Sequence, residues 1–193
     1  MRSVCVFCGS SAGARPAYAE AARALGRELV RRRIDLVYGA GSIGLMGVVA
    51  DAVIEAGGHV TGVIPDALVA RELAHRGIQS LRIVRSMHDR KALMADLSDA
   101  FIAMPGGFGT FEEFCEVLTW AQLGLHGKPC GLLNVEGYYD PLLALFDRGV
   151  EECFVKAENR RRVLEHTDPG ALIDALATWS APAAPAWITS EQT

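Results

Sequence analysis

Three times in the first 110 residues, a short apolar run stops at a small-residue, glycine-containing turn. The runs are Val4–Phe7 before Gly9-Ser10-Ser11-Ala12-Gly13, Ile34–Tyr38 before Gly39-Ala40-Gly41-Ser42-Ile43-Gly44-Leu45-Met46-Gly47, and Ala100–Met104 before Pro105-Gly106-Gly107-Phe108-Gly109-Thr110. Four or five apolar residues suit a strand buried on both faces, and the helical periodicity around these turns supplies crossovers between parallel strands. Further runs at Val60–Pro65, Leu81–Val84 and Pro129–Val135 read as strands, and Met87–Leu97 and Tyr138–Cys153 as helices. A last helix is expected over Pro169–Trp179, with Asp168 as its cap and Pro169 at its first position. The expected fold is α/β, a mostly parallel sheet with helices on both faces. In such sheets ligands bind at the carboxyl ends of the strands, so loops 9–13, 39–47 and 105–110 should converge on one site. With 193 residues, half of them hydrophobic, the chain can bury one substantial core, which makes residues 1–179 a single domain. The Ala/Pro-rich tail, 180–193, is expected to be disordered.

The loops suggest an anion. Gly106, Gly107 and Gly109 let the backbone approach a ligand, and the helix that follows offers unpaired N–H groups to a phosphate. Gly9, Ser10, Gly41, Ser42, Gly44, Met46 and Gly47 provide further candidate contacts on the other two loops. Gly39-x-Gly41-x-x-Gly44 matches a dinucleotide fingerprint, but the strand Val60–Pro65 lacks the acid that would hold a ribose hydroxyl, which argues against NAD. Glu112 and Glu113 directly after a phosphate cradle are unexpected unless they face another part of the ligand. Thr110 and Glu113 also have the spacing of a capping box, an equally physical reading. Arg90 shares a 3-4-3 stripe with Met87, Met94 and Leu97, so its guanidinium either reaches outward to solvent or is aimed into the cleft. Lys91 follows as a second cation.

A net charge of -4 and the absence of a long basic run give no electrostatic footprint for nucleic acid. No apolar run approaches a membrane span, and Met1–Phe7 leads straight into a strand without a cleavable leader pattern, so a cytoplasmic location is expected. Five scattered cysteines fit reduced thiols. Cys5-x-x-Cys8 lies on a strand, where residues three apart face opposite sides, and no second pair completes a zinc site. The histidines form no ligand pair, so no metal is expected.

Met87-His88-x-Arg90-Lys91 and Pro105-Gly106-Gly107-x-Gly109-Thr110-x-x-Glu113 together resemble the Lonely Guy family of cytokinin-activating phosphoribohydrolases. The likeness extends through Cys8–Ser11, Gly39–Gly47, Arg71-Glu72, Trp120–Gly124 and Gly131–Tyr139, up to about residue 155. It implies a Rossmann-like, doubly wound homodimer with the site near the subunit interface and no cofactor. It further implies hydrolysis of the N-glycosidic bond of an adenosine 5′-monophosphate derivative to free base and ribose 5-phosphate. Arg90 and Glu113 are then the catalytic pair, while Glu72, Lys91, Glu112 and the 106–110 loop contact substrate. Some members of the wider family carry a lysine decarboxylase label. A pyridoxal enzyme needs a Schiff-base lysine, yet only Lys91, Lys128 and Lys156 exist and Lys91 already belongs to the arginine motif. The competing class is a nucleotide or cofactor carrier built on the same loops, which has no evident use for a carboxylate beside the ribose.

Overall fold

A computed structural model describes residues 1–69 and 74–181. Its strands are β1 (Ser3–Phe7), β2 (Asp35–Tyr38), β3 (Val60–Pro65), β4 (Ser80–Val84), β5 (Ala100–Ala103), β6 (Cys130–Leu133) and β7 (Val163–His166). They form a seven-stranded sheet, in the order β4-β3-β2-β1-β5-β6-β7, in which every pairing is parallel. The chain builds outward from β1 in one direction, then returns to the other side of β1 with β5, where Val4 pairs with Ala100 and Phe7 with Ala103. The crevice between these two strands is therefore the topological switch point, the place where a doubly wound sheet binds ligands. The expected α/β fold is the one observed.

The helices are α1 (Pro16–Arg31), α2 (Gly44–Glu55), α3 (Met87–Asp96), α4 (Phe108–Leu123), α5 (Asp140–Glu151), the single turn α6 (Ala157–Arg160) and α7 (Pro169–Thr178). Both faces of the central strands are buried, whereas the edge strand β4 is largely exposed. One core joins Val4, Val6, Leu36 and Ile102 to α1, α2 and α7, and the other joins Cys5, Val37, Phe101 and Ala103 to α3, α4 and α5. Strand alternation thus puts Cys5 and Cys8 in opposite cores, as their spacing predicts. Burial pushes the Cys5 and Cys8 thiols well above their ordinary range and Cys130 up to about 12. All five cysteines are unpaired.

Asp168 caps α7 as expected, its Oδ1 accepting from the Ala171 amide at 2.8 Å. Two expectations change. The strand β7 was not foreseen, because Val163-Leu164-Glu165-His166 has only two apolar residues and no alternation. On α3 the buried residues are Arg90, Lys91, Met94 and Ala95, while Met87 and Leu97 are largely exposed, so the covered face is turned from the expected stripe. Among the described residues no helix is long and apolar enough to cross a membrane. The tail expected to be disordered, 180–193, lies almost wholly outside the described residues, and Glu72 lies outside them.

Candidate active site

The three loops meet. The Gly9 amide donates to the Pro105 carbonyl at 3.1 Å, and the Gly9 carbonyl accepts from the Leu45 amide at 2.9 Å. Gly44 holds the second loop against the first: its φ is +63°, and a Cβ there would overlap the Ser10 backbone. Gly41 and Gly47 are buried inside the same junction, with Gly41 against the Met46 side chain and Gly47 against the Ser42 carbonyl. These glycines build the site by packing and do not line it.

Two adjoining clefts share Gly9, Ser10 and Gly107. One, about 290 Å³, is lined by Cys8, Met46, Met87, Arg90, Thr110 and Glu113 together with the 107–109 backbone. The other, about 300 Å³, is lined by Ser11–Gly13, Tyr18, Leu45, Pro105, Gly106 and Tyr138. Tyr18 meets Tyr138 edge to face at 5.8 Å, and the Tyr138 hydroxyl donates to the Gly106 carbonyl, so an aromatic wall braces the glycine loop.

Helix α4 begins at Phe108, with Gly107 as an N-cap that offers no side chain. Thr110 is the third helical residue and is buried, so it cannot serve as the N-cap of a box with Glu113. Among the described residues no side chain caps α4, and Glu113, one turn further on, lines the same cleft as the 107–109 backbone. Its carboxylate also acts on the core beneath: it adds to the burial that raises the Cys5 and Cys8 thiols, while Arg90 opposes it at Cys5. Both charges therefore lie within electrostatic reach of the cleft floor.

Arg90 is 5 % exposed, so the outward-reaching alternative does not hold. Its Nη2 donates to the Gly39 carbonyl at 2.9 Å, and a Cβ on residue 39 would overlap the guanidinium. The first glycine of the apparent dinucleotide fingerprint thus makes room for an arginine 51 residues away. Sequence reading missed Gly39 as a site residue because nothing local announces that contact.

Lys91 and Glu112 stand apart from the clefts. Lys91 Nζ donates to Glu112 Oε1 at 2.5 Å and to Glu116 Oε1 at 2.9 Å. Burial pulls the ammonium pKa down, but the two carboxylates outweigh it and the pKa is raised. Lys128 Nζ is held by the Ala95 carbonyl at 2.7 Å, and Lys156 is exposed beside α6. No lysine is presented to the clefts for a Schiff base.

A family model described as "Possible lysine decarboxylase" matches residues 46–176. The chain is 57 % identical over 161 residues to the rice protein named probable cytokinin riboside 5′-monophosphate phosphoribohydrolase LOGL1, covering 83 % of this chain and 72 % of that one. The chain belongs to the Lonely Guy family. A second family member, cytokinin riboside 5′-monophosphate phosphoribohydrolase LOG7 of Arabidopsis thaliana, is 55 % identical over 89 % of this chain and 79 % of its own. The Lonely Guy fold is shared more widely. The molybdenum cofactor binding protein of Rippkaea orientalis superposes with a TM-score of 0.70 at 19 % identity, over 92 % of this chain and 97 % of that one. The molybdenum cofactor carrier protein of Chlamydomonas reinhardtii gives 0.69 at 20 %, over 92 % and 99 %. At that identity the likeness speaks for the fold alone.

Proposed function

We propose that the protein hydrolyses the N-glycosidic bond of a nucleoside 5′-monophosphate, a cytokinin riboside 5′-monophosphate above all, to free base and ribose 5-phosphate. The observation that carries this reading is one cleft lined by Arg90, Glu113 and the open N-terminal turn of α4. The helix amides hold the 5′-phosphate, which places the ribose toward Glu113. As the bond between C1′ and the base nitrogen lengthens, positive charge develops on the ribose, and the Glu113 carboxylate stabilises it. Water then forms the new C1′–O bond and gives its proton to Glu113, while the base departs with the bonding pair and takes up a proton from solvent, to which Glu113 returns the one it received. Arg90, anchored on the Gly39 carbonyl, orients a ligand oxygen or carboxylate.

Relatives more than half identical are named as hydrolases of this kind, which favours catalysis over a carrier role. The reading includes a homodimer in the cytoplasm. Its support is the uncovered side of α4, where Cys115, Leu118, Thr119 and Gln122 form a groove of about 170 Å³ with Phe146 and Val155, next to Phe154 at 89 % exposure. Light scattering at micromolar concentration should return twice the chain mass, and a monomer would count against the dimer.

The activity is tested by incubating the protein with N6-isopentenyl-AMP, AMP and adenosine and separating free base by chromatography. Both nucleotides should release base and adenosine should react poorly. Equal turnover of adenosine and AMP would remove the phosphate-cradle argument.

A further inference from the structure

Arg90 and Glu113 stand on helices seated on different halves of the sheet. Helix α3 packs on β3 and β4, whereas α4 packs on β1, β5 and β6, across the switch point. A cleft whose two charged groups come from separately seated helices needs something to fix the distance between them. Lys91, next to Arg90, reaches from α3 to α4 and is only 9 % exposed at its side chain. Its two carboxylate partners bracket Glu113, since Glu112 precedes it and Glu116 follows one turn later. The Glu116 arm is the more buried one, at 23 % exposure against 55 % for Glu112, and removing one partner of a buried pair leaves an uncompensated charge. Glu116 depends on it in turn, because its Oε2 is buried without a hydrogen-bond partner among the described residues.

We infer that Lys91 is a positioning residue that sets the separation of Arg90 and Glu113 by strapping α3 to α4 through Glu112 and Glu116. This departs from a substrate contact by Lys91 and Glu112, neither of which lines the clefts. The inference rests on the hydrolase reading above. A misplacement of about 1 Å in a catalytic constellation costs on the order of a hundredfold in rate. Loss of the strap should therefore appear in kcat and leave ground-state binding of the phosphate, which uses α4 amides, little changed.

The test compares wild type with Lys91→Met, which keeps the stem and removes the charge, with Lys91→Arg, and with Glu116→Gln in case the buried change at Lys91 prevents folding. Each is assayed for base release from N6-isopentenyl-AMP and for ribose 5-phosphate affinity by calorimetry. We expect kcat to fall about tenfold or more in Lys91→Met and several-fold in Glu116→Gln, with affinity for ribose 5-phosphate within about threefold of wild type and partial recovery in Lys91→Arg. A folded Lys91→Met or Glu116→Gln protein with normal kcat overturns the strap. Raised KM and weakened ribose 5-phosphate binding at unchanged kcat would make Lys91 a substrate contact and overturn it as well. A wild-type protein that releases no base overturns the hydrolase reading together with this role, an outcome distinct from the other two.

Discussion

The guanidinium of Arg90 illustrates how one side chain's placement depends on a residue that has none. It sits where a Cβ on Gly39 would be, and the Gly39 carbonyl is its acceptor. Gly39→Ala should therefore push the arginine out of register, lowering base release at least tenfold while the sheet survives, as read by kcat beside a urea unfolding midpoint. Arg90→Ala should lose most activity, with weaker substrate binding if the arginine holds the ligand directly. Thiol chemistry gives an independent check on burial. Cys153 is exposed, whereas Cys5, Cys8 and Cys130 are buried with raised pKa values. A disulfide reagent at pH 8 should modify Cys153 first and leave Cys5 and Cys130 unreacted until the chain unfolds; rapid reaction of either in native protein would contradict the core assignment.

At the scale of elements, the strands and glycine turns were legible because their signals are local. An apolar run ending in a turn of small residues specifies a strand terminus, and Asp168-Pro169 announces α7. Asp168→Ala should cost about 1 kcal/mol of stability, measured by urea unfolding, with activity unchanged. The errors came from signals that depend on distant partners. The covered face of α3 turned because Lys91 finds Glu112 and Glu116 on α4, which no periodicity count contains. The capping box failed because α4 already begins at Phe108, so Thr110 arrives too late to cap. β7 is paired with β6 from Cys130↔Val163 to Leu133↔His166, and that pairing, more than its own composition, makes it a strand.

For the whole molecule, convergence of the three loops follows from the sheet order, which puts β1 beside β5 and so brings Gly9 to Pro105. The fold also carries a pH-dependent term far from the cleft. His126 is wedged beside Phe101, with Nε2 on the Val117 carbonyl and Nδ1 accepting from the Lys128 amide. Burial is the main reason its pKa is lowered from 6.5 to about 4. The folded state thus favours the neutral ring, so this contribution is intact above pH 6.5 and is lost as pH falls toward 4. His126→Gln, which keeps an amide donor for Val117 but cannot titrate, should lose less stability than wild type between pH 7 and pH 4.5 in urea unfolding. Equal losses would contradict the assignment.

The central claim is that Glu113 acts on the ribose and is not a helix-terminal fixture. Gln at this position keeps the shape and hydrogen-bonding capacity but supplies neither negative charge to a ribosyl cation nor a base for water. The deciding measurement is the turnover rate of free-base release from N6-isopentenyl-AMP by wild type and Glu113→Gln, with circular dichroism confirming the fold of both. The account predicts a loss of about a hundredfold or more. A folded Glu113→Gln protein that releases base at nearly the wild-type rate would contradict it and shift suspicion to Glu112.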